Sequence, residues 1–150
     1  MSFFKEYIKI GFTGTQSGMT LEQKKTVQRI LLSFVEDENI FISEVHHGDC
    51  IGADENFHKI IKAYDHFLGI AIHIHPPIKA IKRAFCDGTV LHKEKSYLVR
   101  NHDIVDACNV MIATPGEREE QLRSGTWSTI RYAKKCDKAL HIIYPDGIIR

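Results

Sequence analysis

Residues 46–54, with the sequence His-His-Gly-Asp-Cys-Ile-Gly-Ala-Asp, combine glycines and carboxylates in a pattern that suits a phosphate or a ribose. Gly48 and Gly52 lack a Cβ atom, so the loop permits positive φ and lets backbone N–H groups approach a ligand. Asp49 could accept a hydrogen bond from a ribose hydroxyl, although aspartate after glycine is also ordinary turn chemistry. Asp54 could contact the same ligand or cap a following helix. This loop alone fits both a ligand cradle and a plain tight turn.

Two further loops have the same character. Residues 13–18 follow an apolar run, and residues 124–126 precede a helix-periodic segment that contains Trp127 and Ile130. Each loop is short, polar and glycine-containing, which is typical of the junction between a strand and a helix. They supply the candidate ligand-binding residues Gly14, Thr15, Ser124, Gly125 and Thr126.

Strand-like and helix-periodic segments alternate along the chain. Apolar runs predict strands at residues 7–12, 40–45, 70–75, 110–113 and 140–144. Periodicity predicts helices at about residues 20–37, 54–67 and 96–107 and around Trp127. Thr20 and Gln23 have capping-box spacing, and Gly69 is the predicted C-cap of the second helix. Residues 78–95 lack periodicity and predict a long loop that bears one short helix.

This alternation predicts one α/β domain over residues 1–150, with a Rossmann-like, doubly wound, mostly parallel sheet of about five strands and helices on both faces. Such sheets bind ligands in the crevice at the carboxyl ends of their strands, so the three loops should converge there. Each loop lies at or near a helix N-terminus, where free N–H groups and the helix dipole favour an anion. We therefore expect a nucleotide-like ligand, although neither G-x-G-x-x-G nor G-x-x-x-x-G-K-[ST] occurs.

Composition argues against several other classes of protein. The 20 lysines and arginines nearly balance the 19 acidic residues, and the net charge of +1 gives no basic surface for nucleic acid. The four cysteines are widely separated, which indicates reduced thiols in a cytoplasmic protein. No apolar segment has the length of a membrane span, so no membrane partner is expected.

The chain resembles the SLOG superfamily, which includes the DNA-processing protein DprA and the Lonely Guy enzymes, and it is most similar to the small single-domain branch related to YpsA and YspA. The resemblance rests on Gly14-Thr15, on His47-Gly48 with Gly52-Ala53-Asp54, on Arg100-Asn101 and on Ser124-Gly125-Thr126. It implies a nucleotide or nucleotide-derived ligand, self-association into a dimer or tetramer, and a site in which residues 124–126 hold phosphate. By the same resemblance, Gly14 and Thr15 border the pocket, and Gly48 and Asp54 form its second wall.

The sequence departs from the Lonely Guy phosphoribohydrolases at their P-G-G-x-G-T-x-x-E motif. Here an insertion separates Pro115-Gly116 from Gly125-Thr126, and no glutamate stands at the catalytic spacing. Glu117 or Glu120 could fold back into the pocket, although a run of charges is more often a solvated face. Asp54, Glu117 and Glu120 are therefore the catalytic candidates if the protein is a nucleotide-processing hydrolase. The main expectation is a binding protein that acts as a sensor, carrier or sequestering protein.

Several other side chains have two interpretations. Arg100 could pair with phosphate as a two-pronged donor or form a surface ion pair. Cys50 could be a nucleophile or a small buried residue, and Trp127 could stack on a base or pack in the core. His46-His47 and His73-x-His75 raise a metal hypothesis, because His73 and His75 point to one side of a strand, but no Cys, Asp or Glu completes a metal set at usual spacing. Hydrogen-bonded histidines are the alternative, and the sequence predicts no metal site.

Overall fold

The computed structural model describes residues 5–64, 67 and 69–150 as an α/β fold. Its strands are β1 (Glu6–Gly14), β2 (Ile40–His47), β3 (Ala71–Ile74), β4 (Val90–Leu91), β5 (Val110–Thr114) and β6 (Ala139–Ile142). Its α-helices are α1 (Leu21–Glu36), α2 (Ala53–Ala63), α3 (Tyr97–Ala107) and α4 (Gly125–Lys135). The six strands form one parallel sheet in the order β4-β3-β2-β1-β5-β6. The predicted Rossmann-like class is confirmed.

The number of strands differs from the prediction, because the sheet has six strands instead of about five. The extra strand, β4, lies inside the segment that the sequence predicts to be a loop, and it extends the sheet beyond β3. Backbone bonds from Thr89 to Ile72 and from His92 to Ile74 hold it there, at 2.8 and 2.9 Å. A strand of two residues is too short to show the alternation by which strands are predicted. The short helix of this segment is a 3-10 turn at Ala80–Lys82.

Helix α2 has different ends from those predicted. It ends at Ala63 because Tyr64 adopts an extended backbone, so Gly69 does not cap it. Residues 65 and 66 of the predicted helix lie outside the described residues. At the other end Gly52 is the N-cap, which places Asp54 at the second helical position instead of the cap. The predicted capping box of α1 is confirmed, with bonds of 2.9 and 3.0 Å between Thr20 and Gln23.

The helices cover the two faces of the sheet in pairs. Helices α1 and α2 pack on one face, where Val27, Leu31 and Phe57 join the apolar side of the central strands. Helices α3 and α4 pack together on the other face. The switch in winding direction falls between β1 and β5, since β2 and β3 lie on one side of β1 and β5 and β6 on the other. This is the position at which doubly wound sheets open a crevice.

None of the helices in the described part of the chain combines the length and apolarity that crossing a bilayer requires.

Candidate functional site

A cleft of about 490 Å³ opens at the carboxyl ends of β1 and β2, beside the switch point. Its volume lies in the range of small-molecule sites. All three glycine loops reach it, as does the first half of α3. The predicted residues that line it are Gly14, Thr15, Gly48, Asp54, Arg100, Asn101, Ser124, Gly125 and Thr126. The cleft therefore brings together most of the residues that the sequence singles out.

The first two loops are tied to each other at the floor of the cleft. The Ala53 N–H donates to the Thr15 carbonyl at 3.0 Å, so the start of α2 is held against the loop after β1. Gly52 adopts a φ of +95°, and a Cβ there would overlap the backbone carbonyl of Gln16. Gly52 is outside the cleft lining. Glycine is therefore needed at this position so that the two loops can pack together, and not for direct contact with a ligand.

Arg100 is buried, with 5 % of its surface exposed, and it lines the cleft. Its Nη1 donates to the Gly48 carbonyl and, at 3.2 Å, to the His75 carbonyl. Its Nε is buried and has no hydrogen-bond partner among the described residues. The surface ion pair considered for this residue is therefore wrong. A buried guanidinium with an unused donor is suited to an anion that enters the cleft.

Gly48 is the point at which the chain passes closest to that arginine. A Cβ at Gly48 would overlap the Arg100 guanidinium and lie 2.9 Å from the Asp54 carboxylate. Only glycine leaves room for the Arg100 guanidinium and the Asp54 carboxylate at their present positions, because a larger residue would displace them.

Asp54 is a carboxylate in the cleft wall. Its Oδ2 accepts the Cys50 N–H at 3.1 Å, and 7 % of the residue is exposed. Burial raises the pKa of Asp54 to about 6, while the Arg100 guanidinium and the Cys50 N–H act in the opposite direction. The carboxyl group can therefore exchange a proton near neutral pH, which a general acid or base needs.

The N-terminus of α4, which includes the third glycine loop, forms another wall of the cleft. Ser124 caps the helix by accepting the Trp127 N–H at 3.2 Å, and the Ser128 N–H donates to the Ser124 carbonyl. The amides of Gly125 and Thr126 remain without intrahelical acceptors, as at every helix start. A Cβ placed on Gly125 would have no atom within 4 Å, so open space lies beside Gly125, and both residues line the cleft. A helix start with free amides and room before it favours an anion.

Asp49 is placed differently from the other predicted residues. It is fully buried and outside the cleft lining. One carboxylate oxygen accepts Arg83 Nε at 2.7 Å, and the other accepts the Cys86 N–H at 2.8 Å. The Asp49 carboxylate therefore anchors the segment after the 3-10 turn, and both of its oxygens are occupied there.

Glu117 and Glu120 also lie outside the cleft lining. Glu117 accepts the Trp127 indole N–H at 3.0 Å, and Glu120 pairs with Arg131 at 3.0 Å on the surface. Trp127 itself is 3 % exposed and packs with Ile130 in the core, which is the plainer of its two interpretations. Of the three catalytic candidates, only Asp54 reaches the cleft.

The Cys50 thiol lines the cleft but has the wrong electrostatics for a nucleophile. Burial raises its pKa above the ordinary thiol value, and the nearby Asp54 carboxylate adds to the effect. Arg100 Nη1 lies 3.6 Å from the sulfur and opposes the rise only in part. The thiol stays protonated at neutral pH, as expected of a structural cysteine.

Six further cleft residues were not singled out by sequence: Phe12, Thr13, Gln16, Tyr97, Ile104 and Arg123. Tyr97 and Ile104 are three residues before and four after Arg100, so helical spacing from Arg100 and Asn101 would have identified them. Arg123 directly precedes the predicted Ser124, and it adds an exposed positive charge to the α4 wall. Gln16 follows Gly14-Thr15 in the first loop.

Three groups of potential metal ligands occur among the described residues, all of which include histidines. In the group closest to the cleft, His47 accepts the Asp49 N–H on Nδ1 at 3.0 Å, so its Nε2–H is the donor to His58 Nδ1 at 3.0 Å. Because Nδ1 of His47 must accept a backbone N–H, Nε2 keeps its proton and has no lone pair for a metal ion, so this group, which also includes Cys86, offers no ready metal site. The other two groups overlap and are described below.

Fold and cleft together define a Rossmann-like α/β protein with an anion-suited site at its switch point. No protein-family model matches the chain, and the search of curated proteins finds no similar sequence. The resemblance to the SLOG superfamily therefore stays a prediction.

Proposed function

We propose that this protein binds a nucleotide or nucleotide-derived molecule in the cleft and acts as a sensor, carrier or sequestering protein. The observation that carries the proposal is that one cavity is lined both by the N-terminus of α4 and by Arg100, whose buried Nε has no hydrogen-bond partner among the described residues. Both are donors, and both favour a group with several acceptor oxygens.

The two sides of the cleft differ in chemistry, and this difference suggests the orientation of the ligand. The phosphate occupies the α4 side, where Gly125 and Thr126 offer amides and Arg123 adds positive charge. The nucleoside extends across the loops at Gly14 and Gly48, which line the other side of the cavity. The volume of about 490 Å³ accommodates a mononucleotide-sized molecule.

The test begins with mass spectrometry of small molecules released from the purified protein, followed by titration of any nucleotide found. Gly125→Asp places a carboxylate at the helix start and should weaken binding at least about tenfold, since a like charge there opposes the phosphate. Gly125→Asn has nearly the same shape without the charge and is the matched control. Absence of both a recovered nucleotide and a thermal shift on adding nucleotides would contradict the proposal, as would binding by Gly125→Asp that equals that of the unsubstituted chain.

A second candidate function is a hydrolase that cleaves an N-glycosidic or phosphate bond of the same ligand. The Asp54 carboxyl favours it, because this group is buried in the cleft and its pKa is raised to about 6. Incubation of the recovered nucleotide with fresh protein separates the two functions. A hydrolase releases base or phosphate, and Asp54→Asn abolishes the release, whereas a binder returns the ligand intact.

A further inference from the structure

A second polar cavity, of about 520 Å³, lies on the α3 side of the sheet over β2, β3 and β4. Strand alternation directs Glu44 and His46 to this face, and pairing in register sets His46 beside His73. His75 and His92 follow at the ends of β3 and β4, and their imidazole rings stack at 4.1 Å. Four histidines and a carboxylate thus occupy a sheet face on which apolar side chains would normally pack.

Glu44 organises the cluster from one end. Its Oε1 lies 2.8 Å from His46 Nε2 and 3.3 Å from His73 Nε2. The two other nitrogens of these rings face the outer histidines, with His46 Nδ1 at 2.8 Å from His75 Nε2 and His73 Nδ1 at 2.8 Å from His92 Nε2. Because the carboxylate accepts N–H from His46 Nε2, the His46 Nδ1 lone pair is directed toward His75.

We propose that His46, His75 and His92 bind a divalent transition metal ion of the zinc class, with Glu44 and His73 as positioning residues. One ring nitrogen from each of the three lies within 4.8 Å of the others. The bond from His46 to Glu44 is the arrangement that orients metal-bound imidazoles in proteins, where the nitrogen away from the metal donates to a carboxylate. The proposal is independent of the nucleotide cleft.

The chemistry of the ligand atoms favours zinc over harder cations. Imidazole nitrogens suit Zn²⁺ and its neighbours, whereas Mg²⁺ and Ca²⁺ prefer oxygen. Two nitrogens on one tetrahedral zinc lie about 3.3–3.4 Å apart, since each Zn–N bond is about 2.0–2.1 Å. The His46–His75 separation of 2.8 Å therefore opens by about half an ångström when the ion replaces the shared hydrogen bond. The ring proton moves to the other nitrogen, so each imidazole remains neutral.

Burial prepares the rings for this role. His46 and His75 are 2 % and 5 % exposed, and burial favours the neutral imidazole, which is the form that binds a metal ion. Three nitrogen ligands leave one position of a tetrahedral ion open toward the cavity, as in sites that bind water or a substrate there. Asp103 and Asp106 of α3 line the same cavity.

The experiment uses the full chain without a histidine tag, stripped with a chelator and then titrated with ZnCl₂ against a chromophoric competitor. We expect one Zn²⁺ per chain, and His92→Gln should weaken binding at least about tenfold, since even outer positions around a metal cost that much. His92 is only half-buried, so this variant should fold. His141→Gln and His58→Gln are the matched controls and should bind like the unsubstituted chain.

Two results would overturn the proposal: Zn²⁺ binding that is unchanged in His92→Gln, and an unsubstituted chain that binds no Zn²⁺. Co²⁺ provides a second readout, because a nitrogen-rich tetrahedral site gives it intense visible absorption. That absorption should be present in His58→Gln and absent in both His46→Gln and His92→Gln. Hydrogen-bonded histidines without a metal function would leave the Co²⁺ spectrum that of the hydrated ion in every variant, which also overturns the proposal.

Discussion

The cleft and the histidine cluster lie against different faces of the same helix, and they are built in opposite ways. Arg100, Asn101 and Ile104 of α3 face the cleft, whereas Asp103 and Asp106 face the histidines. The cleft is made of glycines, helix starts and backbone groups at the ends of elements. The cluster is made of side chains on or just beyond strands that pairing brings together. The first kind of site follows from the order of elements, and the second depends on strand register.

Arg100→Met should have the largest effect, because this residue joins the two regions. Its Nη1 bonds the Gly48 carbonyl at the cleft and the His75 carbonyl beside the cluster. Loss of the guanidinium leaves two buried carbonyls unpaired at about 1–3 kcal/mol each, so urea denaturation should show a free energy of unfolding lower by about 2–6 kcal/mol.

Arg123→Met is the control for that measurement, since Arg123 is an exposed arginine of the same cleft. Its effect on the free energy of unfolding should stay within about 0.5 kcal/mol. Equal stability of the two variants would mean that Arg100 does not connect the regions.

Asp54→Asn tests the cleft alone through the pH dependence of stability. Burial raises the pKa of Asp54 from about 4 for an exposed aspartate to about 6. The folded state therefore binds more protons between these values, and stability from this group is present below about pH 4 and lost as pH rises through 6.

The measurement is the difference in the free energy of unfolding between the unsubstituted chain and Asp54→Asn across this window. It should change by about 2–3 kcal/mol in favour of the variant as the pH rises from 4 to 7. Asparagine preserves the shape of the side chain and an oxygen for the Cys50 N–H. A difference that is constant with pH would remove Asp54 as a titrating group.

Glu120→Ala should have the smallest effect, because Glu120 belongs to neither region. Its ion pair with Arg131 is exposed, so the free energy of unfolding should change by less than about 0.5 kcal/mol in thermal or urea denaturation. Nucleotide binding and any turnover should be unchanged. A loss of turnover in this variant would mean that the insertion that contains Glu120 contributes to the active site.

The order of elements could be read from the sequence, and with it most of the cleft. Strand and helix periods place Gly14, Gly48 and Gly125 at junctions that topology then brings to one edge. Arg100 was predicted either to donate to phosphate or to form a surface ion pair, and its burial was not predicted, because that depends on how α3 packs. The sequence shows which residues stand at the ends of strands and helices. This information is sufficient to predict a site whose ligand is held by backbone groups.

Pairings between distant residues could not be predicted in the same way. Asp49 meets Arg83 across 34 positions, through a loop that has no periodic signal. His73 and His75 were recognised as neighbours on a strand, but Glu44 and His92 join them only through the register of β2, β3 and β4. Register is fixed by the whole sheet, so spacing along one chain does not reveal it.

Open space lies beside Gly125, so the requirements of folding at this position can be distinguished from the requirements of ligand binding. Its φ is not in the left-handed region, no neighbour crowds a Cβ, and alanine is the better helix former at this position. Folding thus places no demand for glycine here, in contrast to Gly48 beside the Arg100 guanidinium. Any intolerance of side chains at position 125 would therefore measure the space that the cleft reserves for its occupant.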